Sequence, residues 1–511
     1  MINPVVSTRG KKTTLYGLGA LLLLALWSAA SFVAEPYIIP SPWHTVVEVV
    51  SLLSQGYAWK QILISVLRVA AGFSLALLAG LVIGIVSGTN RNIETLLRPL
   101  VLIVQGMPPL LWIIPLILVL GIGNLSPICV ITLICFPIVA LNINEGVKTV
   151  PSQLMEMLDV FAPGTYPRLR ELILPHLKPF IAASIKLGIV LGIKASVIAE
   201  YFGANDGIGF QVQAAFQSLQ VRKLFAWSVV FIVLILFAGW LLGRLERIMK
   251  HPDKQHDRAG STALSPDFLG KLKRKTVKQS RPEQLVLRDV SFAYPGAGLL
   301  LDHINLTVQP GEIVVISGDS GVGKTTLLHT AAGLLKPMCG TIGRPERIGF
   351  MFQDERFLPW RSNAWNVALP LIYSRVGPED SVAYARYLLG EAGLSGWDGA
   401  VPEELSGGMK KRLAFARCFA RFPDAILLDE PFSGLDAGGR RCLWSKLMAL
   451  LGDHHGPVLI VTHFPEEIPS SDRCRFFALV PAEAGTKKVQ LFPNPLLSLT
   501  NLENSHKLGG K

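Results

Sequence analysis

The chain has 511 residues, of which 50% are hydrophobic and only 17% charged, with a mean hydropathy of +0.42 and a formal net charge of +12. Those values exclude a disordered, collagenous or coiled-coil chain and sit badly with a purely water-soluble enzyme; at about 100–200 residues per domain, the length suggests two to four domains. The 6 cysteines contain no CxxC pair, so Cys129, Cys135, Cys339, Cys418, Cys442 and Cys474 read as reduced packing residues, not as metal ligands or a disulfide framework.

The apolar residues concentrate before residue 250. Charge-free runs cover Leu15 to Ala34, Val69 to Asn90, Pro99 to Asn144 and Leu224 to Gly243, and a further apolar run from Pro179 to Ala199 carries Lys186 and Lys194. A bilayer-spanning helix needs about 20 apolar residues. The run from Pro99 is therefore read as two spans, broken at Gly121 to Pro127, which predicts six transmembrane helices in all. The first run is too long for a signal-peptide core and reads as a retained anchor. Thr45 to Val66, interrupted by Glu48, Gln55, Gly56 and Lys60, predicts an interfacial helix, with an extra span as the alternative. Lys and Arg cluster in alternate loops: Arg9, Lys11, Lys12, Arg91, Arg98, Lys148, Arg168, Arg170, Lys178, Arg244, Arg247 and Lys250 on one side, but only Lys60, Arg222 and Lys223 on the other. The first side is then the cytoplasm, with both termini and everything after residue 250 on it. Part of the positive charge is topogenic and borders anionic lipid, so nucleic acid is not needed as a partner.

Residues 250–283 are polar and basic without clear periodicity and read as a cytosolic linker, a tether whose Lys271, Lys273, Arg274 and Lys275 also suit lipid headgroups. Short β-rich runs then alternate with helical stretches, the pattern of an α/β domain over residues 284–511. The buried-strand candidate Ile313 to Ser317 leads into Gly318-Asp319-Ser320-Gly321-Val322-Gly323-Lys324-Thr325-Thr326 and a helix. This is a P-loop in strand–loop–helix context: backbone N–H groups wrap phosphates, Lys324 reaches the β- and γ-phosphates, and the Thr325 hydroxyl suits Mg²⁺. A second apolar strand, Ala425 to Leu428, ends in Asp429, suited to Mg²⁺, and Glu430, suited to polarising the water that attacks the γ-phosphate. Leu405-Ser406-Gly407-Gly408-Met409 opens another helix and forms a second anion cradle. Two cradles for one γ-phosphate make sense when two copies face head to tail with ATP between them.

With these motifs the C-terminal half, over about residues 284–480, resembles an ABC-type ATPase. The resemblance implies that Tyr294 stacks on adenine, that Gln353 senses Mg²⁺ and couples to the membrane part, that Asp436 of Ser433-Gly434-Leu435-Asp436 lies in the D-loop, and that His463 is the switch histidine acting with Glu430, Lys324 and Gln353. Met409 replaces the usual glutamine of the signature, and Phe464 stands where an acid often follows the histidine. The N-terminal half, about residues 38–248, resembles the permeases of the nitrate, sulfonate and taurine group of ABC importers. There Glu156, Gly164 and Ile173-Leu174-Pro175 echo the importer motif that forms a coupling helix, although Met157 and Leu158 replace two alanines and Pro163 adds a break. Phe352-Gln353-Asp354-Glu355-Arg356-Phe357-Leu358-Pro359-Trp360 resembles a segment of the same group's ATPases.

The expected fold is a six-helix transmembrane domain (residues 1–249) followed by the linker and an α/β P-loop ABC ATPase domain. The expected function is an ATP-driven importer half-unit in a bacterial inner membrane. It would use ATP and Mg²⁺, pair with a second copy of itself, receive solute from an external solute-binding protein, and carry a small anion such as nitrate, a sulfonate, taurine or bicarbonate. The alternative is an exporter or lipid flippase half-transporter, against which stand the short cytoplasmic loops; a membrane-tethered regulatory ATPase is a third reading. Lys194 in mid-span either meets a passing anion, pairs with Glu145 or Glu200, or serves the dimer interface.

Overall fold

The computed structural model describes residues 7–34, 38–249, 266–276, 283–374, 376–435, 437–452, 455–463, 465, 468, 473–481 and 489–493. The chain forms two compact units: residues 1–149 with 176–251, and residues 150–175 with 252–511. A stretch of the N-terminal half therefore folds with the C-terminal half.

The first unit is built from α1 (Ser7–Val33), α2 (Pro42–Ser54), α3 (Gly56–Thr89), α4 (Arg91–Gly106), α5 (Pro109–Leu120) and α6 (Leu125–Lys148). The chain then runs through α7 (Ser152–Phe161), α8 (Thr165–Pro167) and a π-helical turn (Arg168–Ile173), and continues into α9 (Leu174–Gly203), α10 (Ile208–Gln217) and α11 (Val221–Met249). Among the described residues four helical runs are long and apolar enough to cross a bilayer: Gly56–Thr89, Leu125–Lys148, Thr165–Gly203 and Val221–Arg244. A fifth exists if the α4–α5 pair counts as one. The expected six is not reached among the described residues: α4 and α5 are bent by 94° at a break that Pro108 caps, and α1 counts only through its stretch Gly17–Val33. The interfacial stretch expected over Thr45 to Val66 is also divided differently. Ser41 caps α2, Gln55 is extended and breaks the helix, and the remainder is continuous with α3.

α3 and α6 pack backbone to backbone. A Cβ on Gly72, Gly80, Gly84 or Gly88 of α3 would come within 2.6 to 2.8 Å of Ile131, Val139, Ile143 or Val147 of α6. Small residues at such spacing let two helices approach closely in an apolar medium, where dispersion replaces the hydrophobic effect as the driving force. Several buried polar groups of this unit bond to one another. Glu200 accepts from Ser65 Oγ (2.8 Å) and Gly209 N (3.0 Å) and lies 3.3 Å from Arg68. Arg68 also donates to Asn124 Oδ1 (3.0 Å) and the Asp206 carbonyl (2.9 Å). Glu145 lies 3.4 Å from Lys148. Both acids weighed as partners of Lys194 are thus engaged elsewhere, and Lys194 itself is exposed on α9.

The second unit holds a sheet of nine strands among the described residues: β1 (Leu285–Ala293), β2 (Leu299–Val308), β3 (Ile313–Ser317), β4 (Cys339–Gly343), β5 (Ile348–Met351), β6 (Ala425–Asp429), β7 (Val458–Thr462), β8 (Cys474–Pro481) and β9 (Val489–Pro493). Their order is β4-β1-β2-β9-β8-β3-β7-β6-β5, with the run from β8 to β5 parallel. β3, β6 and β7 are buried along their whole length, which is why they read as unbroken apolar runs in the sequence. The helices are α12 (Pro266–Thr276), α13 (Lys324–Ala332), α14 (Asn363–Ile372), α15 (Pro378–Glu391), α16 (Gly407–Phe419) and α17 (Ala437–Leu451). α12 lies in the stretch expected to be an unstructured tether. Leu272 is buried in the unit's core with Phe268 and Leu269 packed on it, a short apolar face hidden in the sequence by the flanking lysines. Residues 250–265 and 277–282 lie outside the described residues.

Candidate nucleotide site and its docked segment

The parallel register decides which residues meet. Ser317 at the end of β3 pairs with Thr462 of β7, and Asp429 at the end of β6 pairs with Val461. Three strand ends therefore deliver residues 318–323, Asp429-Glu430 and His463 to one edge, where open α/β sheets bind ligands. Gly321 (φ +78°) and Gly323 (φ +106°) take left-handed backbone that turns the loop into α13 and leaves helix N-terminal N–H groups free to face an anion.

Lys324 is buried. Its Nζ donates to the carbonyls of Gly318 (2.7 Å) and Asp319 (2.9 Å), lies 3.0 Å from His463 Nδ1, and lies 3.9 Å from Glu430 Oε1. Burial lowers its affinity for a proton, while Glu430 and Asp429 raise it. Thr325 Oγ1 donates to Asp429 Oδ1 at 3.3 Å. Asp429 is buried, and its other oxygen, Oδ2, has no hydrogen-bond partner among the described residues. Burial pushes the Asp429 carboxyl up to about 6, with Glu430 adding to the rise. An unpartnered buried carboxylate oxygen beside a hydroxyl is a fit for a hard cation. The described residues contain no group of three or more His, Cys, Asp or Glu able to hold a metal, so such a cation would take most ligands from phosphate and water, the habit of Mg²⁺. Glu430 accepts from His463 N at 3.3 Å and sits 3.2 Å from His463 Nε2.

Tyr294 is partly exposed next to the loop. Its hydroxyl is 3.2 Å from Thr326 Oγ1 and its ring meets Phe292 edge on. Ser320 and Gly321 are exposed and Val322 packs against the core. Gln353 is exposed after β5, and its carbonyl accepts from Lys411 Nζ at 3.1 Å. Ser406 caps α16, accepting from Met409 N, with Gly407 exposed and Gly408 in the first turn. The group around Lys324 brings together Thr325, Asp429, Glu430 and His463 but none of Ser406, Gly407 and Gly408. Asp436 and Phe464 lie outside the described residues.

Sequence reasoning missed Lys411, Arg417 and Glu171. Lys411 is buried on α16, joined to Gln353 O and to Ser433 Oγ (3.2 Å), although a Lys-Lys-Arg run normally reads as a solvated face. Arg417 is fully buried between Phe161 (4.6 Å) and Phe357 (4.7 Å) and donates to the Arg356 carbonyl at 2.6 Å. Phe161 belongs to the segment 150–175. Met157, Leu158, Phe161, Ala162 and Leu172 of that segment share one buried cluster with Phe352, Leu358 and Leu369. Arg356, stacked on Phe352, bonds Glu156 at 2.7 Å.

Two family descriptions match the sequence: "Binding-protein-dependent transport system inner membrane component" over residues 77–251 and "ABC transporter" over residues 301–433. Among curated proteins, "Aliphatic sulfonates import ATP-binding protein SsuB 3" of Paraburkholderia xenovorans (strain LB400) is 44% identical over 174 residues, 34% of this chain and 68% of that protein. "Aliphatic sulfonates import ATP-binding protein SsuB 1" of Xanthomonas axonopodis pv. citri (strain 306) is 41% identical, covering 35% of this chain and 75% of that protein. A solved structure described as "Dimeric Structure of MJ0796, a Bacterial ABC Transporter Cassette" is 29% identical over 38% of this chain and 93% of that chain, with a TM-score of 0.35.

Proposed function

The chain belongs to the ABC transporter family, an importer-type permease fused to an ATP-binding ATPase, and from that premise we propose that it is an importer half-unit for a small organic or inorganic anion. The observation that carries this reading is the pairing of a binding-protein-dependent permease match with ATPase relatives that serve aliphatic sulfonate import. The half-unit would work as a pair of copies in a bacterial inner membrane, with the ATPase on the cytoplasmic side, six crossings per copy, and solute delivered by an external binding protein. Six crossings need α1 and the α4–α5 pair to count as one each.

In this reading the phosphates lie over the loop 318–323 and draw Lys324 Nζ from its two carbonyls to the β- and γ-oxygens. Thr325 and Asp429 would hold Mg²⁺, which when bound offsets the charge of the phosphates. Glu430 takes a proton from the attacking water, and His463 fixes its carboxylate through the backbone N–H. Ser406, Gly407 and Gly408 of a second copy close over the γ-phosphate, Tyr294 stacks on adenine, and Gln353 reports the phosphate to the docked segment.

Lys194 supports the anion. A charged group at mid-membrane costs about 2.5–3.5 kcal/mol on insertion scales and faces a partner or a wet path. Lys194 has no ion pair among the described residues and is exposed on α9. Lys194→Met should insert and hydrolyse ATP normally but transport poorly. The reading is tested in cells lacking other sulfonate importers, supplied with this chain and the solute-binding protein of its own genome, by uptake of labelled ethanesulfonate, taurine, nitrate and bicarbonate. ATP-dependent accumulation of one of them is expected. ATP-dependent efflux or lipid movement instead would establish the exporter alternative.

A further inference from the structure

The segment 150–175 meets the rest of its unit through two acids in unequal settings. Glu156 is half exposed beside Arg356. Glu171 is 1% exposed and takes a full set of donors: Arg361 Nη2 (2.8 Å) and Nε (3.1 Å), Trp365 Nε1 (3.3 Å) and Tyr373 OH (2.9 Å) on its carboxylate, and Trp360 Nε1 (3.0 Å) on its carbonyl. The Arg361 guanidinium also stacks on Trp365 at 4.3 Å. Exposed ion pairs hold little, whereas removing one member of a buried, fully bonded pair strands a charge. Glu171, Leu172 and Ile173 are buried in succession within the π-helical turn Arg168–Ile173.

All the hydrogen-bond donors to Glu171 come from the stretch between β5 and Tyr373, the residue just after α14, and that stretch begins with Phe352 and Gln353 at the nucleotide edge. On the other side, Glu171 is three residues from the start of α9, so the chain runs from it straight into a membrane helix. We propose that Glu171, and not the more exposed Glu156, is the positioning residue that fastens the permease to the ATPase and carries nucleotide-driven movement of the Phe352–Tyr373 stretch into α9. This deepens the transport reading and rests on it. Glu171 touches no nucleotide, so its loss should spare hydrolysis while breaking transmission.

The full chain in lipid nanodiscs is followed by hydrogen–deuterium exchange with and without AMP-PNP and Mg²⁺, alongside ATP hydrolysis. In the wild type, nucleotide should change exchange at residues 176–186. In Glu171→Gln and in Arg361→Met, opening of residues 168–175 should rise about 100-fold and the nucleotide response at 176–186 should vanish, with hydrolysis within about twofold of wild type. The double variant Glu171→Gln with Arg361→Met should regain protection at 168–175, because no buried charge is left unpaired. Arg361→Met and Tyr373→Phe carry the same test from the ATPase side if Glu171 variants do not fold. A nucleotide response at 176–186 that persists in these variants, or unchanged opening at 168–175, overturns the inference alone. A wild type that hydrolyses ATP with no response at 176–186 overturns the transport reading together with it.

Discussion

Glu430 holds a left-handed backbone (φ +48°) that costs a non-glycine residue about 1–3 kcal/mol, a strain of the kind tolerated where a side chain must be aimed. Its carboxylate is held by His463 N and lies near Lys324, so the amide of Glu430→Gln keeps the cradle and loses the base. Steady-state hydrolysis should fall about 100- to 1,000-fold with ATP affinity retained, and turnover near wild type would remove Glu430 from the proposed role. His329 offers a different titration. It lies on α13 between Phe350 (5.5 Å) and Phe352 (5.9 Å), with Nε2 buried and unpartnered among the described residues. Burial holds it below the usual imidazole range of 6.5, with Arg356 adding to the effect. Because the folded state prefers neutral His329, its contribution to stability is present above pH 6.5 and is lost as the pH falls below that value. Thermal melts of the full chain between pH 7.5 and pH 5 should show a falling midpoint, and His329→Leu should flatten that slope; an unaltered slope would mean that other groups set it.

At the scale of elements, the motif-bearing strand ends were legible because each couples an apolar run to a short polar signal. Ile313 to Thr326 and Ala425 to Glu430 carry both their secondary structure and their chemistry in sequence. The expected break at Gly121 to Pro127 falls where α5 ends and α6 begins, but the further break at Pro108 was not legible, because prolines also sit inside α4, α5, α6 and α9, and only the 94° bend separates the one that breaks. Glu171 was illegible for a related reason: a lone acid among Arg168, Arg170 and Glu171 reads as surface, and its donors lie about two hundred residues away. Gly164 was singled out by its place in the importer motif, and its φ of +130° explains the glycine. A Cβ there would lie 3.6 Å from Pro167, an ordinary contact, so the penalty of adding it is backbone strain. Gly164→Leu should therefore fold and hydrolyse ATP at the basal rate while transport drops at least about tenfold, as α7 shifts against its cluster. Uptake at the wild-type rate would place the coupling turn elsewhere.

For the whole molecule, the proposed function makes the Ser406-Gly407-Gly408 cap of one copy and the Lys324 cluster of another two halves of one site, and the group around Lys324 includes none of those three residues. In a mixed pair, one chain carrying Lys324→Ala and the other Ser406→Arg, one site loses both elements and the other keeps both. About half of the nucleotide occupancy should survive, measured with trapped labelled ATP; complete loss would count against closure in trans. The sharing of the segment 150–175 between sequence halves has one more consequence, in time. Glu156 and Arg356 are 200 residues apart, and at about 5–20 residues per second a ribosome needs about 10–40 s to make the second after the first. For that interval Met157, Leu158 and Phe161, all buried in the finished protein, are displayed on a nascent chain whose neighbouring helices have already been handed to the membrane. A stalled or truncated product ending near residue 250 should therefore be a preferred client of chaperones and membrane proteases, and pulse–chase labelling should show it disappearing faster than the full-length chain.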